Sequence, residues 1–336
     1  MERLYNWLYI SAIKGLGEVS IKRLFSYYRS AQAILKAEEE LRLLVGHERA
    51  RAIREGRLLF DPEKVVKTVI KEGIGWTTIE DEDYPLLLKT IEDPPPVIFY
   101  RGKLKDLPLV GVVGTRNPDQ YSINFTRKLV HSLVDAGFGV VSGGAKGIDY
   151  TSHLSCLQAG GYTVCLLGMG LLKMPSYLRK LSHDSVLFMS ELLPEQEADS
   201  YTFPRRNRLI SGLSTSLVVV EAGQRSGALI TAEHGVRQGR QVYVHVGIGS
   251  SERWLGCIRL LNEGKAKFLR CAEDLLSITP SSRDREDKLL ALLTVPKTFS
   301  ELLGLTGLSE KELSVKLSMY EMEGRIERVG LYYRAL

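Results

Sequence analysis

The sequence predicts an α/β protein built on a mostly parallel sheet with helices on both faces, preceded by a helical domain and followed by a small domain of helices and strands. Three observations carry this. From residue 108 to about 276, continuous apolar runs of strand length alternate with helix-length segments, the pattern of strands buried on both faces. Several runs stop at glycine-rich turns that carry a cation, where open α/β sheets bind ligands. The two ends of the chain lack this alternation. The expected boundaries are 1–75 for the N-terminal helical domain, 76–278 for the sheet domain, 279–284 for a linker and 285–336 for the C-terminal domain.

A chain of 336 residues has room for two or three domains. Its 44% hydrophobic and 25% charged content places it among globular proteins. A net charge of +5 permits a polyanionic partner without requiring one. The four cysteines (Cys156, Cys165, Cys257, Cys271) form no CxxC pair and no Cys/His cluster, which argues against structural zinc and a disulfide framework. No signal-peptide pattern opens the chain and no segment approaches a membrane span, so the expected location is the cytoplasm, without a membrane partner.

In residues 1–72, apolar residues recur at helical spacing through Leu4, Leu8, Ile21, Leu24, Phe25, Leu35, Leu41 and Leu44. Lys14-Gly15-Leu16-Gly17 separates the first two helices. Helix, Gly-x-Gly turn, helix resembles a helix-hairpin-helix or SAM-like unit, whose turn offers N–H groups to a DNA phosphate. The alternative is a glycine C-cap in a small bundle. Residues 76–102 read as a bridge, with strands at Trp76–Ile79 and Val97–Tyr100 and a stiff Pro94-Pro95-Pro96 connector. The sheet strands are Leu109–Val113, Val140–Ser142, Tyr162–Leu167, Val186–Met189, Leu217–Val220 and Val242–Val246. The helices between them are Ser122–Ala136, Asp149–Ala159, Arg205–Leu213 and Ala228–Gln238. Beyond the linker, a helix at about Asp287–Leu293, one opening at Thr298-Phe299-Ser300-Glu301 and one capped by Ser309 near Lys311–Glu323 precede short strands Ile326–Val329 and Leu331–Arg334. Three helices and a wing describe a winged helix-turn-helix. Its charges balance and its third helix is not notably basic, which favours protein contact over duplex reading.

The chemistry concentrates in residues 203–227, FPRRNRLISGLSTSLVVVEAGQRSG. Pro204 suits the first position of a helix. Arg205, Arg206, Asn207 and Arg208 would then occupy its first turns, at an end whose N–H groups attract anions. The strand Leu217–Val220 stops at Glu221-Ala222-Gly223, and Ser226-Gly227 opens the next helix. Two further loops share this style. Gly111 to Arg116, with Gly114 and Thr115, ends one strand, and Ser122 opens the helix after it. Gly143-Gly144-Ala145-Lys146-Gly147-Ile148-Asp149 ends another. Glycine lets backbone N–H groups approach an anion, and Arg116 and Lys146 supply charge. Three such loops at carboxyl edges of parallel strands would converge on a phosphate site. Phe203 beside the guanidiniums suits single-stranded nucleic acid, with bases to stack; the alternative for Phe203 is a hydrophobic staple. GxxxxGK[ST] is absent, as is a full GxGxxG with a downstream acid, so neither nucleotide fingerprint applies. Asp149 reads as a cap or loop orienter, and His153 and His234 as packing or capping residues. No catalytic residue, metal ligand or cofactor is assigned.

At these motifs the chain resembles the DNA-processing protein A family, also called Smf. The resemblance spans Tyr84 to about Leu276 and rests on GTR at 114–116, VVSGGAKGID at 140–149, Ser152-His153, SELLP at 190–194, FPRRNRLISGLS at 203–214 and VVVEAGQRSGALITA at 218–232. It implies a Rossmann-like, non-enzymatic protein, commonly a homodimer, that binds and shields single-stranded DNA and loads a RecA-type recombinase onto it in natural transformation. By motif it places Gly114, Thr115, Arg116, Lys146, Phe203, Arg205, Arg206, Asn207 and Arg208 in the DNA pocket. Gly143 and Gly144 lie in its glycine loop, and Ser122, Ser226 and Gly227 are expected to help hold phosphate. Some segments depart from the family pattern. Lys146 replaces an arginine and Gly144 a leucine, and Lys173-Met174-Pro175-Ser176-Tyr177, Val246-Gly247 and Trp254-Leu255-Gly256-Cys257 differ at the rim. Two other readings compete: a nucleotide phosphoribohydrolase with Glu221 as its acid, which lacks the Gly-Gly-x-Gly-Thr loop such enzymes need, and a nucleotide-sensing module that signals through its wing domain.

Overall fold

The computed structural model describes residues 1–37, 40–181, 184–247, 252–276, 288–293, 295–306, 308–322 and 324–335. The expected linker at 279–284 lies outside them. The chain divides into two compact units, Met1–Ala272 and Glu273–Leu336.

Among the described residues, the first unit begins with six helices: α1 (Glu2–Ala12), α2 (Glu18–Tyr28), α3 (Ala31–Lys36), α4 (Leu41–Val45), α5 (His47–Glu55) and α6 (Pro62–Lys71). Their inward stripes, including Leu4, Trp7, Leu8, Ile21 and Leu24, are buried in one continuous cluster with residues of the sheet. Gly15 adopts a φ of +88° and Gly17 caps α2, so the Gly-x-Gly turn is formed as the sequence suggests.

The sheet follows: β1 (Gly75–Thr78), α7 (Leu86–Thr90), β2 (Val97–Arg101), β3 (Leu109–Gly114), α8 (Gln120–Asp135), β4 (Gly139–Ser142), α9 (Ile148–Gln158), β5 (Thr163–Leu166), α10 (Ser176–Arg179), β6 (Val186–Ser190), α11 (Thr202–Leu213), β7 (Ser216–Val220), α12 (Gly227–Arg237), β8 (Gln241–His245), α13 (Leu255–Asn262) and β9 (Lys267–Phe268). Among the described residues it has nine strands in the order β1-β2-β6-β5-β4-β3-β7-β8-β9. The run from β6 to β9 is parallel. β2 joins β6 antiparallel and β1 extends that edge. The segment read as a bridge is therefore two more strands of the same sheet. After β3 the chain builds outward through β4, β5 and β6, then crosses back by α11 to lay β7 against the other side of β3, with Gly114 opposite Val220. This reversal is the topological switch point, and it opens a crevice outside the carboxyl ends of β3, β4 and β7.

The second unit, past α14 (Ala272–Leu276), contains α15 (Lys288–Leu292), β10 (Lys297–Thr298), α16 (Phe299–Thr306), α17 (Glu310–Met322), β11 (Ile326–Val329) and β12 (Tyr332–Ala335). Its strands pair β10-β12-β11 over a core that includes Leu289, Leu302, Leu313, Leu317 and Tyr333. Reciprocal caps start α16 and α17. Thr298 and Glu301 exchange side-chain-to-backbone hydrogen bonds (2.7 and 3.3 Å), as do Ser309 and Glu312 (2.9 and 3.4 Å).

His153 lies fully buried in α9. Its Nδ1 is 2.7 Å from Thr163 Oγ1, which itself donates to the Val140 carbonyl at 3.0 Å. The threonine oxygen must therefore accept from Nδ1–H, which leaves Nε2 as the bare nitrogen, with no partner. Burial first, and the Arg206 charge second, push the ring's pKa down to about 3. Between that value and the unfolded value near 6.5, only the unfolded chain takes up this proton. Stability should then fall with acidification through this window, by up to about 1.4 kcal/mol per pH unit from this residue. Urea unfolding followed by tryptophan fluorescence checks this, since Trp7, Trp76 and Trp254 all lie in the first unit. His153→Gln should flatten the pH 4–6 segment of the stability curve, and a parent-to-variant difference that stays constant with pH would contradict the assignment.

Candidate nucleic-acid interface

Three loops meet at the crevice, and backbone contacts lock them together. Thr115 N–H donates to the Glu221 carbonyl (3.0 Å), and Ile148 N–H donates to the Thr115 carbonyl (3.1 Å). Gly147 has a φ of +92°, and a side chain there would collide with the Thr115 and Arg116 carbonyls, so only glycine allows this approach. Asp149, buried at the start of α9, accepts from Gly143 N–H at 3.1 Å. Its role is the loop-orienting one read from the sequence. Burial raises its pKa, and the nearby Arg206 charge opposes the shift.

The arginines of α11 do different jobs. The helix begins at Thr202, two residues before Pro204. Asp199 Oδ1 accepts from the Tyr201 (2.7 Å) and Thr202 (2.8 Å) N–H groups at its start, and Thr202 Oγ1 accepts from Asp199 N–H (3.0 Å). The chain's own carboxylate therefore occupies part of the anion seat expected at this helix end. Arg206 is buried beneath the glycine loop. It donates to the Gly143 carbonyl (2.5 Å) and to that of Leu166, and its guanidinium fills the space a Gly143 side chain would need. Arg208 is buried between Glu191 (2.7 Å) and Asp93 (2.7 Å). Arg205 is exposed, paired with Glu18 and lying 3.4 Å from Glu191. Asn207 donates to the Gly227 carbonyl at 3.4 Å, which ties α11 to the start of α12. The half-buried Phe203 ring packs over Gly168, just past β5.

The remaining expected residues divide into surface and support. Arg116 and Lys146 are exposed on their loops, and Gly114 and Thr115 are half-buried between them and the sheet. Gly143 and Gly144 are buried. Ser122 is fully buried in the first turn of α8, where its N–H donates to the capping Asp119 at 2.7 Å, so its hydroxyl does not face solvent. Ser226 caps α12, accepting from Ala228 N–H at 3.3 Å. Gly227 beside it is exposed, and a side chain there would meet nothing, so packing does not demand this glycine.

Glu221 is one of two non-glycine residues at positive φ (53°) among those described. The conformation is uncommon for such a residue and persists only where its surroundings over-determine it. Both carboxylate oxygens are engaged: Oε2 accepts from Asp119 N–H (2.9 Å) and Oε1 from Arg253 Nη1 (2.6 Å). Arg253 also donates to the Asn117 carbonyl at 2.9 Å. Trp254-Leu255-Gly256-Cys257, a departure from the family pattern, backs this turn, with Gly256 N–H donating to the Ala222 carbonyl at 2.9 Å. Sequence reasoning missed Asp93, Glu18 and Arg253, whose partners lie far along the chain, and gave Glu191, within the SELLP block, no role of its own. It also missed Asp199, although Asp-x-x-Thr at 199–202 carries a local capping signal.

Fold and site together define a doubly wound α/β protein that brings glycine loops and outward cations to the switch point of its sheet. Residues 75–280 match the family model described as DNA recombination-mediator protein A, and the chain belongs to that family. It is 36% identical to Protein Smf of Synechocystis over 276 residues, covering 78% of this chain and 69% of that protein. It is 35% identical to DNA processing protein DprA of Bacillus subtilis over 228 residues, covering 65% and 75%. The crystal structure of DNA processing protein A from Streptococcus pneumoniae superposes with a TM-score of 0.71 at 29% identity, covering 82% of this chain and 98% of that one. DNA processing protein A from Helicobacter pylori, solved for its single-stranded DNA binding mode, superposes with a TM-score of 0.54 at 25% identity, covering 60% and 94%.

The split among the arginines has a measurable consequence. Arg208→Ala leaves the Glu191 carboxylate buried without its main cation and should cost about 3–5 kcal/mol. Arg116→Ala, on an exposed loop, should stay within about 0.5 kcal/mol of the parent. Urea midpoints of the two variants decide the matter. An Arg208→Ala protein as stable as the parent would contradict the assignment of Arg208 to the interior.

Proposed function

We propose that the chain is a non-enzymatic single-stranded DNA-binding protein whose switch-point crevice receives the phosphate backbone. The observation that carries this reading is the convergence of the 114–119, 143–149 and 221–227 loops, with Arg116 and Lys146 exposed on them; the half-buried Phe203 lies over Gly168, past the end of β5 in the same sheet. Cations held by glycine loops suit phosphates, and an aromatic ring next to them suits unpaired bases. Gly114, Thr115, Arg116, Gly143, Gly144, Lys146, Phe203, Arg205, Asn207, Ser226 and Gly227 form or edge the site. Arg206 and Arg208 act beneath it as positioning residues, and Ser122 belongs to the α8 cap. The relative solved for its single-stranded DNA binding mode supports this reading. Engagement of both Glu221 oxygens weighs against a hydrolase that would use it as an acid.

For the wider role we propose the one that the family resemblance implies. The protein protects incoming single strands and loads a RecA-type recombinase onto them during natural transformation, acting in the cytoplasm as a homodimer. Among the described residues, no helix is long and apolar enough to cross a membrane. The N-terminal helices form the helix-hairpin-helix-like domain, and the C-terminal unit is a winged helix that contacts protein rather than DNA.

Titration of labelled single- and double-stranded oligonucleotides across salt concentrations tests the central reading. Single strands should bind tighter, with log affinity falling by about 0.7 per contacted phosphate for each log unit of salt. Equal affinity for the duplex at moderate salt would contradict it. Within the site, stacking and charge separate. Phe203→Ala should lose about 1–3 kcal/mol of binding with an unchanged salt slope, whereas Arg116→Ala or Lys146→Ala should each lower the slope by about 0.7. A Phe203→Ala protein that melts early yet binds normally once folded would make the ring a packing residue. Removal of residues 285–336 should leave single-strand affinity within about tenfold, or 1.4 kcal/mol; a larger loss in a folded protein would assign DNA contact to the wing.

A further inference from the structure

Against the glycine loop stands an aromatic pair that lies outside the matched motif blocks. Tyr177 sits on α10, in the segment that departs from the family pattern. Its hydroxyl donates to the Gly144 carbonyl at 2.8 Å, and its half-buried ring lies 5.9 Å from that of Tyr150, tilted by 58°. Tyr150 is itself bound to the loop, its N–H donating to the Ala145 carbonyl at 3.0 Å. The Lys146 ammonium lies 5.9 Å from the Tyr177 ring centroid. Burial raises the Tyr177 pKa, and the Arg116 and Arg206 charges oppose the shift. A ring fixed at its far end by a hydrogen bond has little entropy left to lose on stacking. A cation at its side suits the phosphate of the nucleotide whose base would cover it.

We propose that Tyr177, backed by Tyr150, is a second base-stacking subsite for single-stranded DNA. Tyr177 adjoins the Gly143-Gly144 loop through the Gly144 carbonyl and lies near Lys146, so a base stacked on it would sit next to a phosphate held by that cation, while Phe203 would take another base over Gly168. The proposal rests on the single-strand reading and deepens it. It explains why the segment carrying Tyr177 can depart from the family pattern while the glycine loop, even with Lys146 in place of arginine, keeps its cation: the phosphate backbone is common to every strand, whereas a stacking wall can be built from different residues.

The test pairs variants of the full chain with a series of single-stranded oligonucleotides, each with one abasic position. Tyr177→Phe keeps the ring and should bind within about twofold of the parent. Tyr177→Leu should bind about 5- to 150-fold more weakly with an unchanged salt slope. The parent should show two separate abasic-sensitive positions. Tyr177→Leu should lose sensitivity at one of them and Phe203→Leu at the other. The proposal is overturned if Tyr177→Phe weakens binding as much as Tyr177→Leu, which would reduce Tyr177 to a loop anchor. It is equally overturned if the abasic series in the parent has a single sensitive position that tracks Phe203, or if Tyr177→Leu, shown folded by its melting curve, binds like the parent. A parent that binds no single strand at all would instead sink the functional reading beneath it, so the two failures are distinguishable.

Discussion

The crevice depends on one buried cation. Arg206 reaches from α11 under the glycine loop and donates to the carbonyls of Gly143 and Leu166, at the ends of β4 and β5. A guanidinium held in the interior is costly to desolvate, and burial pulls its pKa below the ordinary arginine value. The cost is offset by carbonyl dipoles and by Asp149, whose carboxylate in turn holds Gly143 N–H. One charge pair therefore fixes both faces of the same peptide loop. The loop's outward N–H groups and Lys146 owe their positions to it.

A second strut completes the frame on the other side of β3. Glu221 holds the N–H that starts α8 and, through Arg253, the Asn117 carbonyl, while its own carbonyl holds Thr115. Its positive φ is the conformational cost of turning the end of β7 toward that loop. Farther out, Arg208 joins Glu191 and Asp93, and Arg205 joins Glu18 of α2. The helix that brings the site its aromatic ring is thereby pinned to the N-terminal helices. The outer face is left with Arg116 and Lys146 exposed on loops that are hydrogen-bonded from beneath, an arrangement suited to a flexible polyanion because little backbone would be ordered on binding.

Much of this was legible in the sequence, and the boundary of legibility is physical. Alternating strands and helices fixed the parallel sheet because buried strands must be continuously apolar. The glycine loops were legible because close backbone approach excludes side chains. The antiparallel β1–β2 edge was not, since its membership in the sheet is settled by pairing with β6, about ninety residues on. Nor could the RRNR run be sorted. Four consecutive polar residues look solvent-facing, yet Arg206 and Arg208 are buried because their partners come from Gly143, Leu166, Glu191 and Asp93, none of them nearby in the chain. Tyr177 was visible only as a departure from a pattern, with nothing in the sequence to say that it reaches the Gly144 carbonyl.

If single-stranded DNA lies on the switch-point loops, over a buried arginine frame it does not touch, the exposed and buried cations should respond differently to it. Residue-resolved chemical labelling of lysine amines and arginine guanidiniums, with and without a saturating single-stranded oligonucleotide, reads this out. Lys146 and Arg116 should become protected, and Arg206 and Arg208 should stay unreactive in both states. Lys146 and Arg116 labelling equally in the free and saturated protein would place the DNA elsewhere and contradict this placement.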